Sequence, residues 1–137
     1  MAAYERLTDV MGFSASLTLA TKQFYAVYIS SAGYVKIHDG SCSQKVFGIL
    51  ENEPAAGETA EVAYVAGDVT KWICDGATTC NIAIMDPLWA NDSGRGFKCI
   101  TNGSPHCAYA LAAATGASGA IPVLWTGVNC NATASGY

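Results

Sequence analysis

The stretch FGILENEPAAGETAEVAYV, Phe47 to Val65, and a second one, YALAAATGASGAIPVLW, Tyr109 to Trp125, decide the fold. Each opens on a short apolar run, passes through Ala- and Gly-rich residues, and closes on a run that reads as a strand, TAEVAYV or AIPVLW. Apolar and polar residues that alternate with a period of two mark a half-buried β-strand. The small residues between the runs let one backbone cross close over another. They offer no acid, base or nucleophile. Sustained helical periodicity with caps is missing, apart from a weak trace in ALAAAT.

The similarity spreads outward from this pair. GYVKIHDGS, Gly33 to Ser41, overlays GFKCITNGS, Gly96 to Ser104, without a gap. Phe47-Gly48-Ile49 then falls on Tyr109-Ala110-Leu111, and Ala60, Val62 and Tyr64 fall on Gly119, Ile121 and Val123. Backward, FYAVYISSAG overlays MDPLWANDSG. Residues 24–65 and 85–125 thus read as two tandem copies of one β module. Between them, AGDVTKWICDGATTCNIAI reads as one or two further strands, VTKWIC and CNIAI, around the turn DGATT. Many short strands at regular spacing predict an all-β barrel or sandwich. It spans residues 24–126, preceded by residues 1–23 and followed by a C-terminal tail, 127–137.

Composition narrows the partners. Of 137 residues only 13% are charged, against about a quarter in ordinary globular domains. Either part of the surface is covered by another protein, or the exterior is rich in Ser, Thr, Asn and Gly. The net charge is −4 with no basic stripe, which argues against nucleic acid. Lys98 is the last formally charged side chain in the chain. The uncharged run CAYALAAATGASGAIPVLW has the length of a membrane span, but its Gly, Pro and Ser punctuation fits strand, turn, strand better. No membrane partner is expected, and no clear export signal precedes the modules.

The six cysteines, Cys42, Cys74, Cys80, Cys99, Cys107 and Cys130, form no CxxC pair, and only His38 and His106 stand by as further soft ligands. No metal or other cofactor is expected. Free thiols are favoured over disulfides, although Cys74 and Cys80 could close a short loop. Catalysis needs titratable groups held together. His38 beside Asp39 reads as a surface pair in a turn. His106 and Cys107 are neighbours that point to opposite faces of a strand. Glu51, Glu53, Glu58 and Glu61 flank one turn and read as a solvated rim or a partner contact. No enzyme is expected; a small hydrolase using His38 or the glutamates is the reading set against this.

The cadence of an apolar run, FGIL, AAGE, an alternating strand and AGD, then the same again, resembles the small phage head proteins that decorate or cement capsids. The matching residues are Gly48, Ile49, Leu50, Ala55, Ala56, Gly57 and Val62, then Ala110, Leu111, Ala114, Gly116 and Val123. The second copy departs by having Ala117 where the first has an acidic residue, and the six cysteines are unusual for such proteins. The resemblance implies a β-barrel or β-tulip-like body, commonly a homotrimer, seated on the major capsid protein outside an icosahedral shell assembled in the host cytoplasm, with no enzymatic activity. Residues 1–23 become an extended N-terminal arm, with Tyr4, Leu7, Val10, Met11 and Phe13 as candidate capsid contacts. A disordered terminus, or an extra strand completing the barrel, is the alternative. Glu51, Glu53 and Glu58 are further candidate contacts, because the second copy lacks them. The competing function is a secreted, disulfide-bonded β-domain that binds carbohydrate or a surface receptor, with Trp72, Trp89 and Trp125 as stacking platforms.

Overall fold

The computed structural model describes residues 10–41, 44–76, 81–98, 106–116 and 119–127. Among these residues every regular element is a strand: β1 (Val10–Ser14), β2 (Ala26–Ile29), β3 (Val35–Ile37), β4 (Gly48–Leu50), β5 (Thr59–Ala63), β6 (Val69–Cys74), β7 (Pro87–Ala90), β8 (Gly96–Lys98), β9 (Ala108–Ala110) and β10 (Gly119–Trp125). The all-β expectation holds. Alternation explains the strands. In β6, Thr70, Trp72 and Cys74 point inward while Val69, Lys71 and Ile73 point out. In β10, Ile121, Val123 and Trp125 do the inward packing.

Strands β1 to β5 form one sheet in the order β1-β5-β4-β2-β3, and β6 to β10 form a closed barrel in the order β10-β6-β8-β7-β9. The two circuits are the same. β6 meets β8 in a parallel contact at Cys74–Gly96, which closes the barrel. In the first copy a parallel bridge joins Ala15, just past β1, to Val35 on β3. Registers match strand for strand: Val27–Ile37 and Leu88–Lys98 are equivalent pairs, as are Leu50–Val62 and Val123–Ala110. Phe24 and Met85, which precede β2 and β7, both adopt positive φ, at 67° and 70°.

This register corrects three parts of the sequence overlay. FYAVYISSAG does lie on MDPLWANDSG, so Gly33 matches Gly94, and Gly96 matches Val35. Phe47-Gly48-Ile49 matches Cys107-Ala108-Tyr109, and Ala60, Val62 and Tyr64 match Ile121, Val123 and Trp125. The overlays of Gly33 on Gly96, of Phe47 on Tyr109 and of Ala60 on Gly119 are therefore each two residues out. The copies are also longer than 24–65 and 85–125, because β1 and β6 open them. Residues 10–23 are accordingly built into the first copy instead of forming an arm: β1 pairs with β5 from Val10–Ala63 to Ser14–Thr59, and Ala15 and Leu19 are buried. The expected strand CNIAI is, in its described part, a single bridge from Ile82 to Ala114.

Two apolar clusters fill the body. One consists of Ala15, Leu19, Val27, Val35, Leu50, Ala60 and Val62, all from the first copy. The other takes Trp72, Leu88, Cys107, Ile121, Val123 and Trp125 from the second copy and Ala26, Val46 and Ile49 from the first. The copies dock head to tail. The β7–β8 turn lies on the first copy, where Gly94 O accepts from Ala26 N at 2.8 Å while also accepting from the second copy's own Trp72 Nε1 at 3.0 Å. A Cβ at Gly94 would stand 2.6 Å from Ile37 Cγ2, whereas one at the equivalent Gly33 would meet nothing within 4 Å.

Candidate functional site

The residues expected to contact a partner are partly brought together. Tyr4 and Leu7 lie outside the described residues. Val10 and Met11 are in β1, paired with Ala63 and Val62. Phe13 is half-buried, edge-on to Phe47 with centroids 5.3 Å apart, so its ring serves the first copy's core. Past β1 the chain runs along the glutamate loop. Ala15 N donates to Glu58 O at 2.9 Å, Gly57 N to Ala15 O at 2.8 Å, and Leu19 N to Pro54 O at 2.8 Å. Leu17, held between these anchor points, is 67% exposed.

Two of the three glutamates hold this edge in shape. Glu58 Oε2 accepts from Ala55 N at 3.0 Å and tightens the turn between them. Glu53 Oε2 accepts from the backbone N–H of Thr21, a residue at positive φ. Glu51 faces the other way, and its Oε2 accepts from Thr70 Oγ1 at 2.9 Å, which satisfies a fully buried hydroxyl on β6. Glu53 and Glu58 are exposed.

His38 is not a surface residue. It is fully buried, with Nδ1 accepting from Gly40 N at 2.9 Å and Nε2 donating to Gln44 O at 2.9 Å. Both ring nitrogens are thus engaged in the neutral form, and burial lowers the pKa below the ordinary histidine value. Asp39 turns outward to accept from Ser41 N at 3.0 Å, so the two side chains form no surface pair. His106 and Cys107 diverge as the strand geometry requires. The imidazole meets Tyr109 OH at 3.1 Å, while the buried thiol lies 3.7 Å from Leu88 O.

Trp72, Trp89 and Trp125, considered as sugar platforms, are 0%, 3% and 1% exposed and belong to the core. Cys74 is a free thiol, so it closes no loop with Cys80. Burial pushes the Cys74 thiol up to about 12, which keeps it protonated and inert. Cys42, Cys80, Cys99 and Cys130 lie outside the described residues. No three of the described His, Cys, Asp and Glu side chains converge as metal ligands. No helix among these residues is long and apolar enough to cross a membrane.

One concave feature was not anticipated from the sequence. An open depression of about 870 Å³ on the first copy is walled by Tyr28, Lys36, Lys45, Phe47 and Tyr64. These residues come from four separate segments. The signal that finds them is the corrected register, which sets Tyr28 and Tyr64 against the buried Trp89 and Trp125. No family model and no curated protein matches the chain.

Proposed function

We propose that the chain is a structural virion protein that binds the outer surface of a phage capsid and cements the shell. Its partner is the major capsid protein, and it acts as a homotrimer on the capsid exterior, without a cofactor, nucleic acid or membrane. One observation carries the reading. The segment after β1 and the loop bearing Glu53 and Glu58 come together on one exposed edge, with Leu17 standing out between them. An exposed apolar side chain set among carboxylates on a rigid edge suits a contact with another protein. The use of His38, Glu51, Glu53 and Glu58 as fixings for the backbone and core favours binding over catalysis.

The test is cosedimentation of the purified chain with expanded capsids that lack a decoration protein, followed by a heat ramp. Binding with a raised shell-disruption temperature, weakened by Leu17→Asp, supports the proposal; failure to sediment with any such shell overturns it. Light scattering on the free chain tests the trimer separately. The reading as a secreted, disulfide-bonded domain for carbohydrate or a receptor draws less support. Its three tryptophans are buried, and Cys74 carries a free thiol.

A further inference from the structure

We propose that the depression on the first copy is a docking site for an acidic, extended segment of a partner polypeptide. Its lining is mixed, with Val46 buried and Ile29 half-buried beside Ser30 and Ser31, and it carries Lys36 and Lys45. Both lysines are exposed, and neither is in an ion pair among the described residues. No described Asp or Glu lines the depression. In a chain of net charge −4 this is a local excess of positive charge, which attracts carboxylates.

The second copy displays the same surface when it is covered. Trp89 and Trp125 occupy the positions of Tyr28 and Tyr64, and Cys107 that of Phe47. All three are buried. There the first copy supplies the cover: His38 packs edge-on to Trp89 with centroids 5.7 Å apart, and Tyr64 O accepts from Trp125 Nε1 at 3.1 Å. On the first copy the tryptophans give way to tyrosines, which remain half-buried, and Lys36 stands where the second copy has Phe97. Hydroxyls and ammonium groups at these places suit an occupant that brings negative charge and tolerates water, not a third apolar barrel.

The rings select a peptide over a sugar, and the Gln44 amide selects a donor-bearing occupant over a bare anion. Phe47 lies flat on Tyr64, with centroids 5.5 Å apart and planes 7° apart, Phe13 abuts Phe47, and Tyr28 meets His38 edge-on. A sugar needs an open ring face, whereas an aliphatic side chain fits among ring edges above Ile29 and Val46. Gln44, which lines the depression, has its Oε1 buried without a donor. A peptide N–H satisfies that oxygen, and a bare phosphate or carboxylate does not. The assignment rests on the chain being a binding protein, not on its partner being a shell, so peptide binding and capsid binding fail independently.

The probe is a capped hexapeptide of alternating glutamate and leucine, titrated into the full-length ¹⁵N-labelled chain. Saturable shifts are expected at Tyr28, Lys36, Lys45, Phe47 and Tyr64. The double variant Lys36→Gln/Lys45→Gln, with its spectrum otherwise intact, should bind about five- to tenfold more weakly, as the loss of two exposed ion pairs implies. The same peptide with glutamine for glutamate should weaken binding comparably. Shifts that map elsewhere, equal binding by the double variant, or equal binding of the glutamine peptide overturns the proposal. So does tighter binding of a galacturonate trisaccharide at the same residues, which would assign the site to anionic sugars.

Discussion

Replacing Gly96 by alanine tests the equivalence of the two copies at the point where the second barrel closes. Gly96 is buried at the parallel contact with Cys74, and a Cβ there would lie 2.7 Å from Cys74 Sγ and 3.0 Å from the Trp72 ring. Both neighbours are fully buried and have little room to retreat. Overpacking of this kind costs about 1–3 kcal/mol. Against it stands a gain of up to about 1 kcal/mol, because alanine leaves the unfolded chain less freedom than glycine. The net expectation is a loss of about 1–2 kcal/mol, read from the midpoint of urea unfolding followed by tryptophan fluorescence. The first copy shows how the clash is relieved: at the equivalent contact it pairs Ala15 with Val35, the small residue on the strand where the second copy has cysteine. Cys74→Ala should therefore cost less in the Gly96→Ala background than alone, with a coupling of about 1 kcal/mol. A neutral Gly96→Ala, or strict additivity with Cys74→Ala, would refute the reasoning.

Three further outcomes follow from the buried polar groups. The folded chain holds His38 neutral with a lowered pKa, while the unfolded chain protonates it below its ordinary value. Its contribution is fully present above about pH 6.5 and declines as the pH falls below that, by up to about 1.4 kcal/mol per pH unit; unfolding midpoints between pH 5 and 7.5 should show this slope in the native chain and a smaller one in His38→Gln. Glu51→Ala leaves the buried Thr70 hydroxyl without its acceptor and should cost about 1–3 kcal/mol, while Glu51→Gln, which keeps an oxygen there, should cost less in the same urea assay. Cys74 and Cys107 should resist a thiol reagent in the native state and react only at the rate of unfolding, as mass mapping of labelled peptides will show; rapid labelling of either would contradict their burial.

The strand content and the duplication were readable because alternating apolar runs and Gly-bearing turns are local features. Register was not. Sliding a strand by two residues leaves every side chain on its original face, so the apolar pattern of GYVKIHDGS accepts Gly96 as readily as Gly94. Only backbone pairing separates the two. β1 reads first as an arm, with an extra strand only as the alternative, for a related reason: VMGFS and VTKWIC share little beyond their first valine, and their common role lies in whom they pair with. His38 was misplaced because the adjacent Asp39 suggests a solvated pair, whereas burial is decided by Trp89, far away in the chain. The glutamates were correctly marked as peculiar to the first copy. That Glu51 faces Thr70 instead of solvent depends on how the copies dock.

The unequal sharing of the two apolar clusters sets an order of assembly. Everything in the first cluster has been synthesised by the time Val62 is made. The second cluster needs Ala26, Val46 and Ile49 as well as its own strands. As the chain leaves the ribosome, the first half can close on itself while the second is still being translated. The later barrel then condenses on a finished surface. A duplication that looks symmetrical in its strand order is, in time, a template followed by its dependent.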